Sequence, residues 1–190
     1  MIARTVQRIE SSARGAFLSH LMALPAEDLR LRFGTTLAPA AIGAYVDRID
    51  FDRDAVFAVH DDRLAIIGAA HVGFFEDAAE LGVSVSAGHR GQGIGSALVV
   101  RASDHARNRR TMRLYMHCLA ENAAMIAIAR RAAMSIVISA GEADAHLALP
   151  PASPASVTRE YFTDQLALID FAQKSHVDAL RRAAEAVRKS

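Results

Sequence analysis

The chain has 190 residues, 52% of them hydrophobic, enough for one domain with a sizeable core and cramped for two. Lys and Arg number 22 against 21 Asp and Glu, so no bulk charge draws the chain to nucleic acid or a membrane surface. A single cysteine, Cys118, excludes an internal disulfide and a CxxC metal site, so no metal is expected and a reducing cytoplasm is the simplest setting.

The opening MIARTVQRIESSARG carries Arg4, Arg8 and Glu10 without an apolar run, so no secretory leader is expected. No later stretch approaches the roughly 20 apolar residues of a membrane span. A short strand is predicted near Ala3 to Ile9, and the section to about residue 49 then reads as helical. Phe17, Leu18, Leu21 and Met22 share a face that stops at Pro25, AEDLRLRF (26–33) makes a second piece, and Ile42, Tyr45, Val46 and Ile49 recur at helical spacing after Pro39.

The period then changes. AVFAVH (55–60) and LAIIGAAHVGFF (64–75) read as an antiparallel pair around the turn DDR, and ELGVSVS (80–86) alternates cleanly. From Ile94 a helical stripe runs through Ala97, Leu98, Ala102, His105 and Ala106. MRLYMH (112–117) is strand-like, NAAMIAIARRAAM (122–134) helical, and SIVIS (135–139) and DAHLALP (144–150) strand-like again. LPPASPAS holds three of the five prolines and reads as a linker or a sharp stop. One long helix is predicted over 157–188, with a seam of Val177, Leu180, Ala184 and Val187. Roughly 30 helical residues span about 45 Å, so this helix lies along the body or packs on a partner. The expected fold class is α/β (α+β), a central mixed sheet flanked by helices. Residues 1–150 form the domain and 151–190 a linker and tail helix.

The segment HRGQGIGSAL (89–98) places Gly91, Gly93 and Gly95 at alternate positions where a helix starts. A strand that runs through such a turn into a helix offers several backbone N–H groups in one direction, backed by the helix dipole. Glycine permits positive φ and close approach of a bulky anion, so a phosphate or pyrophosphate is the natural ligand; a turn that only packs on the sheet is the rival reading. The spacing is not the GxGxxG of dinucleotide folds, no acidic residue ends the next strand to hold a ribose, and the GK[ST] of a nucleotide-triphosphate loop is absent.

VSVSAGHRGQGIGSALVVRASDHAR resembles the acetyl-CoA-binding segment of the GNAT superfamily of N-acetyltransferases, whose signature [QR]-x-x-G-x-[GA] is met by Arg90, Gly93 and Gly95. MHCLAENAAMIAIARRAAM resembles the family's next segment, with Asn122 at its asparagine. The resemblance implies that the N–H groups of Arg90, Gly91, Gln92, Gly93, Ile94, Gly95 and Ser96 cradle the pyrophosphate of acetyl-CoA. It also implies that Val83 and Val85 pair with the pantetheine arm, that an N–H near Val85 polarises the thioester carbonyl, and that Asn122 bonds the arm. Asn122 also suits a helix N-cap.

Transfer to an amine requires the ammonium to lose a proton, and the resemblance puts Glu80 in the position of that base; a solvated strand-end carboxylate is the plainer reading. His71 is an outside candidate, and Glu76 and Asp77 read as solvated. Ala129 stands where the family commonly carries a tyrosine acid, and Ala133 and Met134 where it carries Gly-Phe. Cys118 reads as a small buried hydrophobe rather than a nucleophile. EDLRLRFGTT (27–36) resembles a stretch of bacterial GNAT domains that acetylate protein lysines, matched at Arg32 and Phe33.

The expected activity is acetyl transfer from acetyl-CoA, as cosubstrate, to the amine of a small molecule, a protein lysine or a protein N-terminus, by direct attack in a ternary complex. The alternative is a catalytically silent acyl-CoA sensor or interaction module. The tail seam makes a homodimer an expectation.

Overall fold

A computed structural model describes residues 5–189, so Ala3 and Arg4 of the first predicted strand lie outside the described residues. The elements are β1 (Gln7–Ile9), α1 (Arg14–Met22), α2 (Ala26–Phe33), α3 (Pro39–Asp47), β2 (Ala55–His60), β3 (Ile66–Phe75) and β4 (Ala78–Val85). They continue with α4 (Ile94–Asn108), β5 (Arg113–Leu119), α5 (Ala123–Arg131), β6 (Ser135–Ser139), β7 (Glu142–Ala148) and α6 (Pro154–Lys189). The strands form one mixed sheet in the order β1-β2-β3-β4-β5-β7-β6, antiparallel throughout except for β4 and β5.

The sheet is covered on both faces. AVFAVH is buried at every position because β2 lies between α4 and the first three helices. On one face Phe57, Val59, Val72, Leu81 and Val83 meet Ile94, Leu98, Ala102 and Ala106 of α4. On the other, Val56, Ala58 and Ala69 meet Phe17, Leu21, Leu29, Ile42 and Val46. Each stripe follows from the period-2 and period-3.6 patterns of its sequence.

The parallel pair is short. β4 and β5 share the registers Ala78–Arg113, Ala79–Leu114 and Glu80–Tyr115, and then part. Past Glu80, β4 stays paired with β3 out to Val85, while β5 continues along β7 out to Leu119. The β5-facing edge of residues 81–85 therefore has no strand partner, and a wedge opens there.

The tail helix departs from expectation at its start. It begins at Pro154 and not at residue 157, because Pro154 supplies a preset φ for the first helical turn and Ser153 caps it. Ser153 Oγ accepts from the Ser156 N–H at 3.1 Å, and Ser156 Oγ accepts from the Ser153 N–H at 2.9 Å. The third proline of LPPASPAS thus opens the helix and does not belong to a linker.

The helix docks through polar groups. Glu160 takes hydrogen bonds from Arg101 (2.8 Å) and Asn108 (2.7 Å) and pairs with His105 (2.7 Å), while Asp164 also pairs with Arg101. Burial by itself would raise the Glu160 carboxyl, but the hydrogen bonds from His105, Arg101 and Asn108 hold it down to about 2. Further along, Lys174 donates to the His60 carbonyl at 3.3 Å and Phe171 packs edge-on against the His60 ring. The predicted seam residues Val177, Leu180, Ala184 and Val187 face solvent.

Removing one partner of a buried charge pair costs about 3 kcal/mol. Glu160→Ala is expected to lower stability by that order in urea unfolding and to speed proteolysis within residues 154–189.

Candidate active site

The wedge beside β4 deepens into a cleft of about 360 Å³. Its floor is Val83, Ser84 and Val85, one wall is the turn from His89 to Ser96, and the other is α5 from Asn122 to Arg131. Asp28, Leu31 and Arg32 of α2 close one end.

The three glycines answer to two constraints. Gly91 (φ 72°) and Gly93 (φ 79°) hold the left-handed conformation, which a side chain disfavours. Gly95 lies in the first turn of α4, where a Cβ would fall 2.6 Å from Ile128 Cδ1, so glycine there lets α5 close on α4. The first N–H of α4 to find a helical acceptor is that of Ala97, bonded to Gly93 O at 3.0 Å. The N–H groups of Ile94, Gly95 and Ser96 precede it and have no intrahelical acceptor. With Gly91 and Gly93, these residues line the cleft, which is the geometry an anion needs.

Of the residues assigned to acetyl-CoA, Val83, Val85, Arg90, Gly91, Gly93, Ile94, Gly95, Ser96 and Asn122 line this cleft. Gln92 occupies the same turn, with its amide donating to Gly88 O at 3.4 Å, but does not line it. Arg90 forms an ion pair with Asp28 of α2 across the opening. Asn122 caps α5 by accepting from the Met125 N–H (3.1 Å), and its own amide donates to Leu31 O at 3.3 Å, tying α2 to α5.

Glu80 stands on the last rung of the β4–β5 ladder, exposed, in a separate pocket of about 370 Å³ with Phe75, Ala79, Tyr115, Met116, His117, Asp144 and Ala145. In this pocket Asp144 accepts a hydrogen bond from His117 at 2.8 Å and raises its pKa. Ala129 is buried against Met116, Met134 and Ala145, and brings no hydroxyl to the cleft. Cys118 is buried beside Ile126 and Ala143, where desolvation raises the thiol's pKa; this suits a packing role.

Between the cleft and Glu80 lies a polar chain that periodicity conceals. Arg32 spreads over Gly82, so closely that a Cβ there would fall 1.9 Å from its guanidinium nitrogen. Arg32 Nη2 donates to Tyr45 Oη at 3.2 Å, and Tyr45 Oη lies 2.7 Å from His71 Nδ1. His71 Nε2 faces Asp54 at 3.5 Å. Burial, then the nearby Arg32 charge, lowers His71 to about 4, so at neutral pH its Nδ1 accepts from Tyr45. Arg32 also packs against the Phe33 ring at 4.9 Å, and among the described residues it has no carboxylate within ion-pair distance. Tyr45 reads in the sequence as part of an apolar helical seam; nothing in the pattern marks it as polar machinery.

A glycine-capped helix N-terminus thus opens beside a parallel strand pair that has parted. The pattern of the Acetyltransferase (GNAT) family matches residues 21–133, more than half of the chain, and the chain belongs to that family. The family uses acetyl-CoA. The GNAT domain of S. lividans PAT shares the fold with a TM-score of 0.66 and 20% identity, over 76% of this chain and 89% of that one. The ribosomal-protein-S18-alanine N-acetyltransferase of Escherichia coli gives 0.59 and 18%, over 79% and 95%. A GNAT superfamily phosphinothricin acetyltransferase of Sinorhizobium meliloti, in complex with acetyl-CoA, gives 0.60 and 15%, over 80% and 95%. No curated protein shows a significant sequence match to the chain.

Because His71 is lowered in the folded chain, the unfolded state binds more protons between pH 6.5 and 4, and stability falls as pH drops through that window. Urea titrations are expected to show a loss of up to about 3 kcal/mol over that range, reduced in His71→Gln.

Proposed function

We propose that the chain is an acetyl-CoA-dependent N-acetyltransferase. The observation that carries this reading is one continuous cleft joining the glycine-capped N-terminus of α4 to the unpaired edge of β4. The cleft suits the donor: the Arg90 N–H is taken by Ala87 O at 3.3 Å, so the N–H groups from Gly91 to Ser96 hold the pyrophosphate, and the backbone of Val83 and Val85 pairs with the extended arm as an added strand. Asn122 bonds the arm, and an N–H near Val85 holds the thioester carbonyl and the charge that develops on it. Glu80 takes the proton of the attacking amine, and its exposure suits relay through water. Ala129 brings no hydroxyl to the leaving thiolate; a thiolate whose solution pKa is near or above neutral leaves without dedicated help.

The acceptor approaches over Gly82, on the side held by α2 and α3, where Arg32 has no carboxylate partner among the described residues. We assign Arg32 to an anionic group of the acceptor, so the best acceptors carry a carboxylate near the amine. Tyr45, His71 and Asp54 position that guanidinium. Residues 151–190 are an addition to the transferase domain. No helix among the described residues is long and apolar enough to cross a membrane, and a buried, reduced Cys118 suits the cytoplasm.

Calorimetric titration of acetyl-CoA into wild type and Gly93→Trp tests the donor site. Micromolar binding lost in the variant supports it, and no binding to wild type overturns it. Thiol release with a panel of amines then tests turnover: Glu80→Gln is expected to lower kcat about 100-fold with acetyl-CoA binding unchanged. Binding without turnover on any amine would instead favour the silent sensor.

Arg32→Ala is expected to raise KM for carboxylate-bearing acceptors at least about tenfold, the scale of one charge-assisted hydrogen bond, and to leave neutral amines unchanged.

A further inference from the structure

The long tail helix is turned the unusual way round. Its body-facing stripe, Ser156, Glu160, Asp164, Ala167, Phe171, Lys174 and Asp178, is mostly polar, and its ion pairs with Arg101 and His105 fix the rotation of the helix about its axis. The apolar residues consequently point outward: Phe162 is 60% exposed, Leu166 64%, Ile169 55%, Leu180 58% and Val187 78%. Isolated exposed leucines need no explanation; a continuous stripe of them marks an interaction surface.

The stripe has a definite period. Positions 162, 166, 169, 173, 176, 180, 183 and 187 alternate in steps of four and three, the spacing of a coiled-coil seam. They carry Phe, Leu, Ile, Gln, His, Leu, Ala and Val, so the two polar members, Gln173 and His176, sit together at the centre. Val177 and Ala184 flank the seam on one side, and Ala172, Ala179 and Ala186, small enough for close approach, on the other.

We propose that α6 pairs with the same helix of a second copy of this chain, antiparallel, about a two-fold axis between Gln173 and His176. In that register Phe162 lies opposite Val187 of the second copy, Leu166 opposite Ala183, and Ile169 opposite Leu180. The largest member, Phe162, meets Val187 and Leu166 meets Ala183, while Ile169 and Leu180 form the bulkiest aliphatic layer next to the axis. Gln173 meets His176 twice across the axis, where amide and imidazole satisfy each other; a shifted register would press both against aliphatic side chains. A parallel pair would stack like on like, with Phe162 against itself and Ala183 against itself.

The size is sufficient. Pairing over 162–187 uses about 39 Å of helix and removes on the order of 800 Å² from each copy, the size of a standard stable interface. The inference is independent of the enzymatic reading, because its readout is mass and not turnover.

The test is sedimentation equilibrium of the full chain at about 10–100 µM, with wild type and Leu166→Asp/Leu180→Asp. Both replaced side chains are exposed in the single chain, so circular dichroism should find the variant folded. A dimeric wild type and a monomeric variant are expected. Register is read by oxidation: Leu166→Cys/Ala183→Cys should cross-link into a covalent dimer, and neither single substitution should. A monomeric wild type, whether or not it coats phospholipid vesicles, overturns the proposal. So does a dimer that survives the double aspartate variant, or efficient cross-linking of the single substitution Leu166→Cys, which would mean a parallel pair.

Discussion

The molecule is organised around an early end to strand pairing. β4 and β5 run parallel for three registers and then diverge, while each keeps its other neighbour. A strand edge with no partner inside a sheet is an unmet set of donors and acceptors. That edge forms the floor of the cleft, and every other feature of the site is placed relative to it. α4 starts just beyond the end of β4 and aims its first turn at the opening. α5 closes the far wall, with Asn122 capping it and holding α2 in place. Glu80 marks the last rung before the gap.

Two polar networks stand on opposite faces of the sheet. On the α1–α3 side, Arg32, Tyr45, His71 and Asp54 form a chain with charge at both ends and a neutral imidazole within it. On the α4 side, Arg101 and His105 reach Glu160 and Asp164 of the tail helix. A buried charge is costly unless paired, so such groups over-determine the positions of the elements that carry them. The first network holds a guanidinium over Gly82; the second sets which face of α6 meets solvent.

The end of α5 is held by small residues: Ala129 packs against Met116 and Met134. Ala133 keeps the left-handed turn that ends α5, at φ 56°, although glycine would hold it with less strain.

Much of the fold was legible in the chain. Strict alternation located β4 and the helical stripe from Ile94 located α4, because those patterns express burial of one face; SIVIS matched β6 to the residue through its β-branched composition, although that strand is mostly exposed. The glycine turn and Asn122 were legible because their requirement is local: positive φ and an N-cap are properties of a few adjacent residues. Pro154 was misread because proline both stops a chain segment and opens a helix, and only the Ser153–Ser156 exchange decides between them. Tyr45 and Arg101 sit at helical positions that read as ordinary seam or surface, and acquire their roles only from partners 26 and 59 residues away. By itself, then, the sequence determined the elements, the glycine turn and the family, since each rests on short-range pattern. The tertiary structure alone decided where the strands part, which guanidinium stands over Gly82 and which side of the last helix faces outward. Those depend on long-range pairing of charges and hydrogen bonds, which periodicity does not encode.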